Sequence, residues 1–153
     1  MSALSNALAA ALTTPRSVRV NWAFQSNGLW WPFAAINTNY FGWNNPFGVY
    51  IIANGRRDVV RLGQGDIMTR LRAHQRDYEI CKPSYGFLSV TWAEIGPLCV
   101  SGVERYLANE LSPLVGDAFP NVMPIEVNLP IPLIGNQRKL VEALVQLSRR
   151  RGI

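Results

Sequence analysis

The sequence predicts an α+β fold, with strands and helices following one another along the chain, on three observations. Gly48–Ala53 is a β-rich run followed by Asn54-Gly55, a strong hairpin turn signal. Asp66 then stands as a candidate N-cap before a helical pattern from Ile67 to about Gln75. Finally, Phe87–Ile95 alternates Leu88, Val90 and Trp92 against Ser89, Thr91 and Ala93, which is a strand with two distinct faces.

Residues 2–12 read as a short helix with Ser2 as N-cap, ended by Thr13-Thr14-Pro15. Residues 17–47 carry Trp22, Trp30, Trp31 and Trp43 among many Asn and Gly, without a clear period. The expectation is an irregular or short-stranded extension that packs its aromatics onto the main sheet, with a base-stacking platform as the other reading. Asp58–Leu62 is the return strand of the hairpin, broken by Gly63-Gln64-Gly65-Asp66. Lys82–Gly86 is a loop before the third strand, and Val103–Leu111 is a second helix closed by Pro113. Phe119–Ile134 is Pro-rich and extended. Gln137–Arg150 is an amphipathic C-terminal helix with Leu140, Leu144 and Leu147 on one side. The expected organisation is one compact domain: an aromatic-rich extension (1–46), a core (47–130) and a basic C-terminal helix (131–153).

Composition narrows the classes. At 153 residues, 48% hydrophobic, the chain can build a proper core and is short for two domains. The net charge is +5 and the pI about 9.7. All basic residues but Lys82 and Lys139 are arginine, whose planar fork suits phosphate contacts. A merely basic, soluble surface is the plainer reading of the same numbers. Cys81 and Cys99 are far apart and, with one histidine, cannot make a four-ligand zinc site, so both are expected as partly buried thiols. No apolar run approaches the ~20 residues of a membrane span, and the first residues lack the basic start of a signal peptide. A cytoplasmic protein is the expectation.

Some side chains are placed where chemistry needs them. On the first helix, Ile67, Arg70, Leu71 and His74 share a sector of about 100°. Arg70 therefore borders the apolar stripe, as a salt-bridge partner or as a phosphate clamp. His74 is the only histidine, a structural residue or a proton acceptor. On the second helix Glu104 and Glu110 flank the stripe of Val103, Leu107 and Leu111, and periodicity does not choose between them. Tyr50 shares a strand face with Gly48 and Ile52. Its phenol would need a hydrogen-bonding partner to move a proton near neutrality.

In order and spacing, Gly48-Val49-Tyr50, Arg61-Leu62-Gly63, Arg70 and His74 on a helix, a third strand, and Glu104 on the next helix resemble the core of the GIY-YIG nuclease superfamily, over roughly residues 47–130. The resemblance implies a small three-stranded antiparallel sheet flanked by helices, and hydrolysis of phosphodiester bonds in DNA with one divalent metal, Mg²⁺ or Mn²⁺. It implies that Tyr50 is the tyrosine of the first motif, that Arg70 balances phosphate charge and that His74 assists. It selects Glu104 as the metal ligand and Asn121 as the late asparagine, with Asn128 as a weaker candidate. Arg61 is the departure, standing where the second motif normally begins with tyrosine. Arginine has no usable proton at neutral pH but binds phosphate. The expectation is thus a metal-dependent DNA endonuclease, with RNA left open as a substrate. The alternatives are a catalytically silent nucleic-acid-binding module using Arg56, Arg57, Arg72 and Arg76, and a structural or partner-binding protein. The C-terminal helix is expected either to bind DNA or to mediate self-association into a homo-oligomer.

Overall fold

The computed structural model describes residues 14–39, 44–116, 118–130 and 149–150. The helix expected at 2–12, Trp43 and all but the last two residues of the helix expected at 137–150 lie outside them.

The centre of the molecule is β3 (Phe47–Ala53), paired antiparallel with β4 (Val59–Asp66) on one side and with β5 (Ser89–Glu94) on the other. The sheet has four strands rather than the three expected. The Trp-rich extension adds β2 (Trp31–Pro32) antiparallel to β5, giving the order β2-β5-β3-β4. A separate parallel pair joins β1 (Ser17–Val18) to β6 (Glu126–Val127). Three helices complete the described architecture: α1 (Ile67–His74), α2 (Tyr78–Cys81) and α3 (Pro97–Leu111).

The helices flank the sheet because alternate residues of β3 are apolar on both sides. Val49, Ile51 and Ala53 pack with Leu62 against Val103, Leu107 and Leu111 of α3. Tyr50 and Ile52 pack with Val90 and Trp92 against Ile67 and Leu71 of α1. Trp22 and Trp30 join the first layer, and Trp31 stacks on Trp92 at a centroid distance of 6.1 Å. Trp22 and Trp30 are core and Trp31 is half-buried against the second layer, so these three pack onto the sheet as expected. Backbone bonds from Ala23 to Trp92 and from Phe33 to Leu88 fix the extension on β5.

Three local expectations are corrected. The hairpin does not turn on Asn54-Gly55 alone. Arg57 takes the left-handed conformation (φ 64°), and the Asn54 side chain accepts from the backbone N–H groups of Arg56 and Asp58. This Asx arrangement gives a longer loop, with a register shift at Ile52/Ala53. Second, β4 does not stop before Gly63. It runs to Asp66, which pairs with Phe47. Third, α3 begins at Pro97, six residues before Val103, because proline is favoured in a helix's first turn. Cys81 and Cys99 are free, partly buried thiols, as expected. No helix among the described residues is long and apolar enough to cross a membrane.

Candidate active site

β4 is an edge strand, so side chains from both faces of the sheet can meet across it. The glycines at 63 and 65 make this meeting possible. Gly63 lies opposite Tyr50, and a Cβ there would land on the Tyr50 phenol. Gly65 sits against Arg70, where a Cβ would lie 3.2 Å from Nε. From the α1 side come Tyr50, Arg70 and His74. From the α3 side comes Glu104. Arg61 and Gln64 stand on β4 itself. Together they line one open pocket of about 420 Å³, closed on the far side by Ala118, Phe119 and Pro120. The chain after α3 reaches this position by pairing with the free edge of β4, Leu114 N–H bonding to Val59 O at 3.0 Å and Val115 N–H to Val60 O at 2.8 Å.

Two short polar contacts organise the pocket. Tyr50 Oη lies 2.5 Å from His74 Nε2, and Gln64 Nε2 donates to Glu104 Oε2 at 2.6 Å. Burial lowers the His74 pKa to about 4, helped by the charges of Arg61 and Arg70, so the ring is neutral at pH 7. A neutral ring accepts at Nε2 the hydrogen bond the phenol donates, leaving its own proton on Nδ1. Tyr50, only 2% exposed, has its pKa raised by burial, while the nearby Arg61 and Arg70 pull it the other way. Burial also raises the Glu104 pKa; the hydrogen bond from Gln64 and the charges of Arg61 and Arg70 oppose that.

The structure thus brings together Tyr50, Arg61, Arg70, His74 and Glu104. Glu110 is exposed on α3, so the ambiguity between the two glutamates ends with Glu104 in the pocket. Asn121 is exposed just beyond Pro120 and is not among the pocket's lining residues. Asn128 is structural: its side chain bonds Val20 N–H at 2.7 Å and Val20 O at 2.9 Å beside the parallel pair. The four arginines proposed for nucleic acid lie elsewhere. Arg72 bonds Thr38 and Asn39, Arg56 sits over the Tyr85 ring, Arg57 is in the hairpin loop, and Arg76 is exposed after α1. Sequence reasoning missed Gln64, the residue that orients Glu104. Its signal was the glycine on either side, which clears space around a polar side chain at a strand edge.

The pocket suits a hard cation of limited demands. Among the described residues no three His, Cys, Asp or Glu side chains cluster, so a cage of several protein ligands is not formed from them. Magnesium often takes one or two carboxylates, with water and substrate phosphate filling the remaining positions. Glu104, facing the pocket and held by an amide instead of an ion pair, fits that donor set.

Compared with family models, with curated proteins and with solved structures, the chain matches none of them.

Proposed function

We propose that this protein is a metal-dependent endonuclease that hydrolyses phosphodiester bonds in DNA on a GIY-YIG-like core, acting in the cytoplasm. One observation carries the reading: a tyrosine–histidine pair, two arginines and a carboxylate from four separate elements converge on a single open pocket.

The chemistry follows from the placement. A water entering the pocket donates a hydrogen bond to Tyr50 Oη. As its oxygen attacks phosphorus, its proton passes to Oη while the phenol's own proton moves to His74 Nε2. Neutral His74 is ready to accept throughout the neutral range, because its pKa lies near 4. Arg70 and Arg61 balance the negative charge that grows on the phosphate oxygens. The leaving oxygen departs with the electron pair of the broken P–O bond and takes a proton from solvent, while His74, with its pKa near 4, releases the relayed proton to solvent. Glu104, oriented by Gln64, would hold the magnesium. When bound, that ion supplies Lewis-acid polarisation of a phosphate oxygen and screens the leaving group.

Arg61 favours a second reading, a silent nucleic-acid-binding module. Its charge lowers the proton affinity of His74 and so works against the relay. Incubation of supercoiled plasmid with and without magnesium separates the two. Nicking that needs magnesium and disappears in Glu104→Ala supports the enzyme. DNA binding with no nicking under any divalent metal would leave only the binding module.

A further inference from the structure

Arg61 is built into the pocket in a way that a solvated surface arginine is not. It is half-buried, and its Nε is buried with no hydrogen-bond partner among the described residues. The guanidinium bonds the Tyr50 phenol, but Nη1 reaches Val115 O only at 3.5 Å, the outer limit of a useful bond, and Nε is left over. The chain makes room for it at Gly116, whose φ of +96° suits glycine and where a Cβ would overlap Nη1. The carboxylate in the pocket does not neutralise it by contact. Glu104 takes its hydrogen bond from Gln64 and feels Arg61 and Arg70 as charges across the pocket. Burying an incompletely paired guanidinium is costly unless an anion completes it.

From this we infer that Arg61 and Arg70 form a two-guanidinium subsite that binds a phosphodiester monoanion without any metal, Arg61 touching the phosphate directly. Arg61 and Arg70 bring two positive charges and Glu104 one negative, with His74 and Tyr50 neutral. Among the described residues, the pocket's lining thus carries net positive charge for one diester. Two consequences follow. Phosphate binding and cleavage become separable steps, the first needing only protein groups. The same two cations also weaken the hold of Glu104 on a divalent ion until a phosphate arrives between them. This inference rests on the pocket assigned above but not on catalysis taking place there.

The only histidine supplies a site-specific reporter, since its imidazole NMR signals come from the pocket. The wild-type protein is titrated in EDTA with dithymidine monophosphate, which carries a single phosphodiester. Saturable movement of the His74 signals is expected. Arg61→Ala should weaken that binding by about 10–100-fold, the loss of a charge-assisted hydrogen bond. Arg61→Lys should lie between, having the charge without the fork. Glu104→Gln, which removes the opposing charge, should tighten metal-free binding by about fivefold or more. This last variant keeps the test decisive should Arg61→Ala fail to fold. Unmoved His74 signals in EDTA would overturn the inference. So would binding that Arg61→Lys leaves unchanged, or that Glu104→Gln weakens. If metal-free binding depends on Arg61 but plasmid is never nicked, the subsite stands and the endonuclease falls. If plasmid is nicked with magnesium but the dinucleotide binds only with metal, the endonuclease stands and the subsite falls.

Discussion

The two layers on either side of the sheet are built alike and contribute differently. Each buries a stripe of β3, Val49 and Ile51 toward α3, Tyr50 and Ile52 toward α1. Toward α3 the buried groups are almost all aliphatic, and among the described residues Glu104 is the buried carboxylate at the rim, 7% exposed. Toward α1 the stripe itself carries a phenol, which ends on a histidine at the helix's last turn. Neither layer is a site by itself. The polar rims meet only because β4 is an edge and because Gly63 lacks a side chain. Asn128 shows the opposite outcome for a polar group in the same fold: both ends of its amide are satisfied by backbone, and it faces no pocket. Polar groups with complete partners hold the fold together, whereas those with incomplete partners beside open space are available for chemistry.

Substitutions in the two layers and in the pocket between them separate their contributions. Leu107→Ala and Leu71→Ala, one in each layer, should each cost about 2–5 kcal/mol in urea denaturation. A large loss from one and almost none from the other would show that the layers are not equivalent supports. Tyr50→Phe keeps the volume and removes the hydroxyl. Magnesium-dependent nicking should fall by about 10²–10³-fold, with midpoint stability changed by only about 1 kcal/mol. If stability collapses instead, the Tyr50–His74 contact is a structural bond. Gln64→Ala removes the group that orients Glu104 and should lower metal-supported activity by about 10–100-fold while leaving metal-free phosphate binding in place.

The histidine gives a pH test with a defined sign. Its folded pKa of about 4 lies below the ordinary 6.5, so the unfolded chain binds more protons between those values. The stability due to neutral His74 is present above pH 6.5 and is lost as pH falls toward 4. Arg61→Ala should raise the pKa of His74, read from the pH titration of its NMR signal, because a nearby positive charge is removed. The smallest effect is expected at Asn121: Asn121→Ala should change nicking and stability little, since its side chain is exposed outside the pocket. A loss comparable to that of Tyr50→Phe would place this asparagine in the reaction after all.

Much of this was legible along the chain. The hairpin, the start of α1 after Asp66, the third strand and much of α3 follow from local rules of turns and period, although the Asp66 side chain makes no capping hydrogen bond, and helical phase put Arg70, His74 and Glu104 beside apolar stripes. Local chemistry reads such features because their causes lie within a few residues. The length of β4 was not legible, because Gly63 and Gly65 look like breakers until Tyr50 and Gly48 are opposite them. The fourth strand needed Trp31 to find β5, and the placing of Gln64 on Glu104 joins residues 40 positions apart. By itself the sequence marked the central hairpin, the third strand and two helices, and nominated the candidate site residues. Only the tertiary structure decided that five of them share one pocket, that Arg61 is half-buried there with an unfilled Nε, and that Asn121 stands outside it. Convergence depends on which strand lies at the sheet's edge and on where the chain after α3 returns, and both are fixed by long-range pairing, not by local preference.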